Sequence, residues 1–181
     1  MLLGAKKVAV SGLLAALTVV LMVLSSIMEN SSLFFIAAAS FCIGIAIREF
    51  GQIFGGGFWL ACVFLNLLVA PNKSYVITFA GMGLYLLLTE WLFEMLAKAK
   101  EMKYRKLKFG VGKYVIFNMI YIPVILFVPK IIVGKTVEGT LLLVALAFGQ
   151  VALFVYDFAY RYFQENIWEK ARKKLLSFYR N

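Results

Sequence analysis

This chain has no histidine, two cysteines, three prolines and nine acidic residues. Without histidine, a zinc or haem site loses its commonest ligand, and Cys–His and Ser–His catalysis are both excluded. Cys42 and Cys62 each sit inside a long apolar run, so no disulfide framework is expected. No residue pattern marks a catalytic group, a metal site or a cofactor. Charge is scarce too: charged residues make up 15% of the chain, against about a quarter in ordinary globular proteins. A soluble domain of this length needs more polar surface than that.

Apolar runs are what the chain has in abundance. It is 63% hydrophobic, with a mean hydropathy of +0.89. A helix crossing about 30 Å of hydrocarbon needs about 20 residues. By that measure six spans are expected: Val8–Ile27, Leu33–Ile47, Ile53–Ala70, Tyr75–Leu96, Tyr114–Val128 and Thr140–Tyr160. The second and fifth are short, and the fifth contains Pro123. The expected fold is therefore all-α, a polytopic membrane protein with six transmembrane helices in one domain, residues 1–160. Residues 161–181 read as a basic amphipathic tail, because Phe163, Ile167, Leu175 and Phe178 interleave with Lys170, Arg172, Lys173 and Lys174. The opening run, with Lys6 and Lys7 before it, is expected to be a retained helix. It is long enough to span, and Leu24-Ser-Ser-Ile-Met is a weak cleavage context.

The stretch AKAKEMKYRKLKFGVGK, Ala97 to Lys113, holds seven of the nineteen Lys and Arg residues and one acid, Glu101. In a soluble protein it would suggest a nucleic-acid patch. Here apolar runs flank it, so it reads as a cytoplasmic loop, with anionic lipids rather than nucleic acid as the expected partner. Placing both termini in the cytoplasm leaves sixteen basic residues inside and three outside, Lys73, Lys130 and Lys135. That asymmetry sets the expected orientation in the plasma membrane. Four spans precede the stretch and two follow it. The Gly-rich third and Pro-containing fifth have no counterparts, so an inverted repeat is not expected.

Ionisable groups inside spans are costly and therefore informative. Glu90 and Glu94 lie four apart on one helix face. Glu94 is close enough to the basic stretch to snorkel or pair. Glu90 lies deeper, and is expected either to couple an ion, proton or partner or to pair with Arg48 or Arg161. Asp157 and Arg161 have the spacing of an intrahelical pair. Gln52, Asn66, Asn118 and Gln150 are amides that should bond between helices or face a cavity. Asn118 shares a face with Tyr114 and Tyr121, one turn before Pro123, and makes the better cavity candidate. Gly55-Gly-Gly57 lacks the spacing and Lys-Ser/Thr ending of a phosphate loop and is read as a close-packing site or a hinge. On the first span, Ala5 and Ala9, Ser11 and Ala15, and Gly12 and Ala16 are small pairs spaced by four, a smooth surface for another helix.

Six short helices, both ends inside and the opening KKVAVSGLLAALTVVLMVL resemble the substrate-binding S components of energy-coupling factor (ECF) transporters, across the whole chain. The resemblance implies a bacterial plasma-membrane protein that captures a vitamin or small metabolite without covalent chemistry. It implies that Ala5, Ala9, Ser11, Gly12, Ala15 and Ala16 dock a transmembrane coupling subunit served by cytoplasmic ATPases. It further implies solute contacts at Asn118, Tyr121, Asn72 and Lys73. The first outer turn, Met28–Ser32, is shorter than the gating segment many S components carry, and the alanine pattern is imperfect. A nonenzymatic membrane scaffold binding lipid or a protein partner, and an autonomous proton-coupled transporter using Glu90, stand as alternatives. Two carboxylates on one helix do not make an enzyme, since nothing positions a substrate between them.

Overall fold

A computed structural model describes residues 2–98, 104–127 and 139–172. Nearly all of the described residues are helical, and among them six helices are long and apolar enough to cross a membrane. They are α1 (Leu2–Ile27), α2 (Ser32–Phe50), α3 (Gln52–Val69), α4 (Lys73–Lys98), α5 (Arg105–Phe127) and α6 (Thr140–Tyr162). A 3₁₀ turn, Glu29–Ser31, separates α1 from α2. The chain divides into two units, Met1–Thr136 with α1 to α5 and Val137–Asn181 with α6.

The helices outrun the expected spans wherever charge was taken as a boundary. α2 carries Arg48 and Glu49 inside its last turn. α4 continues through Lys98 and α5 starts at Arg105, so most of the basic stretch is helix rather than loop. Residues 99–103, with Lys100 and Lys103, lie outside the described residues. The reason is physical: Lys, Arg and Glu are good helix formers, and a helix that leaves hydrocarbon keeps its own backbone hydrogen bonds. The tail likewise begins as a continuation of α6. Phe163–Trp168 form a π-helical turn and the helix resumes to residue 172. The remainder of the tail lies outside the described residues.

In the first unit α2 is the central element, packed by α1, α3 and α4. Its run from Ala39 to Ile47 is buried. Lipid is as apolar as a leucine side chain, so helices in a bilayer associate through close packing instead of water exclusion. Ala39, Ser40, Cys42, Gly44 and Ala46 supply small surfaces for it. Gly83 of α4 marks one such close approach. A Cβ there would lie 2.5 Å from Ile43 Cδ1 and 2.6 Å from the Trp59 ring, so α2, α3 and α4 meet where no side chain fits. Trp59 then donates from Nε1 to the Ala80 carbonyl at 3.2 Å. Gly51 alone links α2 to α3, at φ 91° and ψ 166°, a backbone region essentially reserved for glycine.

α5 runs antiparallel along α4, because Phe93 meets Phe109 and Tyr85 meets Phe117. Together these contacts place Asn72 and Lys73 at the same end of the α4–α5 pair as Phe127, and Glu90 and Glu94 toward the other.

Candidate functional site

The proposed solute contacts start at the turn between α3 and α4. Asn72 is the N-cap of α4: its Oδ1 accepts from the Ser74 backbone N–H at 3.0 Å, satisfying one of the free donors of the first turn. Lys73 turns the other way. Its Nζ donates to the carbonyls of Leu67 at 2.5 Å and Ala70 at 3.0 Å, closing the end of α3. Both side chains therefore hold the turn together.

Asn118 and Tyr121 are one turn apart on α5 but face different surroundings. Asn118 donates from Nδ2 to the Tyr114 carbonyl at 2.8 Å. With Tyr114, Val115, Met119, Ile122 and Pro123 it lines an open, largely apolar trough along α5. Pro123 has no N–H to give the Met119 carbonyl, which leaves an acceptor on that surface. Tyr121 instead stacks on Phe117, with centroids 5.0 Å apart and planes at 18°. Phe117 in turn meets Tyr85 of α4 edge-on at 6.2 Å. The shared face expected of Tyr114, Asn118 and Tyr121 thus divides, because Phe117 draws Tyr121 toward α4.

Near the other end, Arg48 of α2 reaches Glu90 of α4. Nε donates to Glu90 Oε1 at 2.9 Å, and Nη2 lies 2.7 Å from the same oxygen. The Glu90 side chain is 10% exposed and that of Arg48 42%. Of the partners the sequence offered Glu90, Arg48 is in contact. Glu94, one turn on, is exposed. In the second unit Asp157 and Arg161 pair along α6 at 3.6 Å, with Arg161 largely exposed.

Gln52 bonds between helices as its residue type leads one to expect, donating from Nε2 on α3 to the Leu87 carbonyl of α4 at 2.6 Å. Two features near these sites had no clear signal in the sequence. Lys7 of α1 sits over the rings of Phe50 and Phe54, 5.5 and 4.2 Å from their centroids, pinning α1 to the α2–α3 turn. Thr18, Cys42 and Cys62, from three helices, meet in the core, where the Thr18 hydroxyl lies against both thiols. Helix packing creates each contact, so no local pattern announces it. Asn66 runs against expectation: it is fully buried, yet its Nδ2 bonds Cys62 in its own helix at 2.8 Å instead of a neighbour.

The small residues of α1 take sides. Leu14, Thr18, Met22 and Ser25 are buried, a stripe at helical spacing. Ala9, Gly12 and Ala16 are exposed on the other side, and nothing lies within 4 Å of where a Gly12 Cβ would be. Ser11 and Ala15 are half-buried, and the Ser11 hydroxyl bonds back to the Lys7 carbonyl at 2.8 Å. The Ala5 side chain lies outside those described.

No family model, curated protein or solved structure matches this chain.

Proposed function

We propose that this protein is the membrane-embedded solute-binding subunit of a vitamin or small-metabolite importer, similar to an ECF S component. The observation that carries the reading is the outward face of α1. Ala9, Gly12 and Ala16 form a smooth strip with no neighbour at Gly12, while the opposite stripe of the same helix is buried. Exposed small residues are unexpected on a face that meets only lipid, since they leave a shallow groove and add little dispersion contact. A partner helix lying in that groove, from a transmembrane coupling subunit with its own ATPases, makes use of it.

Solute capture belongs to the end of the molecule that holds Asn72 and Lys73, with Asn118 and Tyr121 deeper on α5. The trough beside Asn118 offers aromatic and amide contacts to an organic solute. Asn72 and Lys73 would have to leave their capping bonds to reach it. The sixteen-to-three distribution of basic residues supports a cytoplasmic location for both termini. Reorientation requires that solute bind the outward and inward states unequally, since equal affinity shifts nothing.

Affinity purification of the tagged chain from its native membrane tests the reading. A coupling membrane protein with associated ATPases should copurify, and Gly12→Leu should remove them without unfolding the chain. Purified protein should also bind a vitamin or related metabolite. Absence of both the ATPase partner and any bound metabolite sinks the proposal.

A further inference from the structure

We infer that the end of the α4–α5 pair nearest residues 98 and 105 is a binding surface for anionic phospholipid headgroups. This surface is distinct from the small-residue face of α1 and does not depend on the importer reading.

Two cations are held there by aromatic rings. The Arg105 guanidinium sits 5.6 Å from the Phe93 ring centroid, and the Lys113 ammonium 4.5 Å from that of Phe109. The two rings meet edge-on at 5.6 Å, so a ladder Arg105–Phe93–Phe109–Lys113 joins α4 to α5. Lys106 and Lys108 are exposed beside it, with no ion-pair partner among the described residues. Leu107 and Val111 of α5, next to Lys106 and Lys108 along the helix, and Trp91 of α4 are each more than half exposed.

Depth then selects the partner. Lys113 is the last charged residue before the apolar run 114–127, which sets it at the polar boundary of the layer. Its ammonium reaches back one turn over Phe109, away from that run. Lys106 and Lys108 lie one to two turns farther out, at headgroup level. Gly110 lies one turn from Lys106 and nearly one from Lys113, with nothing within 4 Å of its Cβ position. That notch lets a phosphate approach between two ammonium groups while Leu107 and Val111 lie against acyl chain. A free phosphate uses the cations and leaves these apolar groups unmatched. A diacyl phospholipid with net negative charge matches both.

The test uses the full chain in nanodiscs of phosphatidylcholine containing a fluorescent phosphatidylglycerol. Wild-type protein should bind phosphatidylglycerol in preference to an equally labelled phosphatidylcholine. Lys106→Gln with Lys108→Gln should weaken that binding about fivefold per lysine. Sodium chloride should weaken phosphatidylglycerol binding by the wild type, a readout that survives if the double variant misfolds. Inorganic phosphate should displace no more lipid than chloride does at equal ionic strength. Equal binding of the two lipids, undiminished binding by a folded Lys106/Lys108 variant, insensitivity to salt, or specific displacement by phosphate overturns the proposal.

Discussion

Arg48 and Glu90, forty-two residues apart, converge on a single carboxylate oxygen, with donors at 2.9 and 2.7 Å. The contact ties α2 to α4 and pairs a nearly buried carboxylate with a partly exposed guanidinium. Removing one partner strands the other. Arg48→Ala should therefore lower stability by about 2 kcal/mol, below the 3–5 kcal/mol of fully buried pairs because Arg48 is partly exposed. Glu90→Gln, which keeps an acceptor oxygen, should cost less. Thermal unfolding in detergent checks the order. If both variants melt with the wild type, the pair does not hold these helices.

Glycines in the same protein should answer differently to one methyl group. At Gly83 a Cβ collides with Ile43 and Trp59, so Gly83→Ala should destabilise by about 1–3 kcal/mol. At Gly12 there is open space, and Gly12→Ala should leave the melting temperature unchanged or raise it slightly. Equal effects at the two positions would contradict the packing.

The α2–α3 connection makes a backbone prediction. Gly51 is at φ 91° and ψ 166°, so Gly51→Ala should cost about 1–3 kcal/mol through strain alone. Proteolysis at this junction should quicken in the variant, whereas Gly57→Ala, with open space around it, should not change the pattern.

Asn72 separates capping from solute binding. Asn72→Asp and Asn72→Ser preserve the cap and should keep stability, while Asn72→Ala should lose about 1 kcal/mol. Once a ligand is in hand, a folded Asn72→Ser protein with full affinity would remove Asn72 from the solute contacts.

Cys42 and Cys62 are 3% and 1% exposed. Neither should react with a maleimide while the protein is folded, and both should react in denaturant. Rapid labelling of the folded chain would show that the α1–α2–α3 core opens.

Much of the architecture was legible from composition alone. A run of about 20 apolar residues has few options besides a membrane-length helix, and all six candidates correspond to helices. Helix ends were less legible, because hydropathy marks where hydrocarbon stops and not where backbone hydrogen bonding stops. The start of α5 at Arg105 shows this most clearly. The candidate site was legible in residue type but not in partnership. Asn118 and Tyr121 share helical spacing, yet Phe117 and Tyr85 decide where Tyr121 lies. The resemblance puts Asn72 and Lys73 at the solute, whereas their capping roles depend on the local fold of the chain.

The sequence by itself determined that the chain is helical and membrane-spanning, since backbone polar groups in hydrocarbon must be satisfied within a helix. It also set which residues were costly enough in lipid to demand a partner, Glu90 foremost. The tertiary structure decided which partner. Apolar helices attract one another with little specificity, so whether Glu90 meets Arg48, and whether the small residues of α1 face inward or out, depends on packing at places such as Gly83. There three helices approach within a side chain's width.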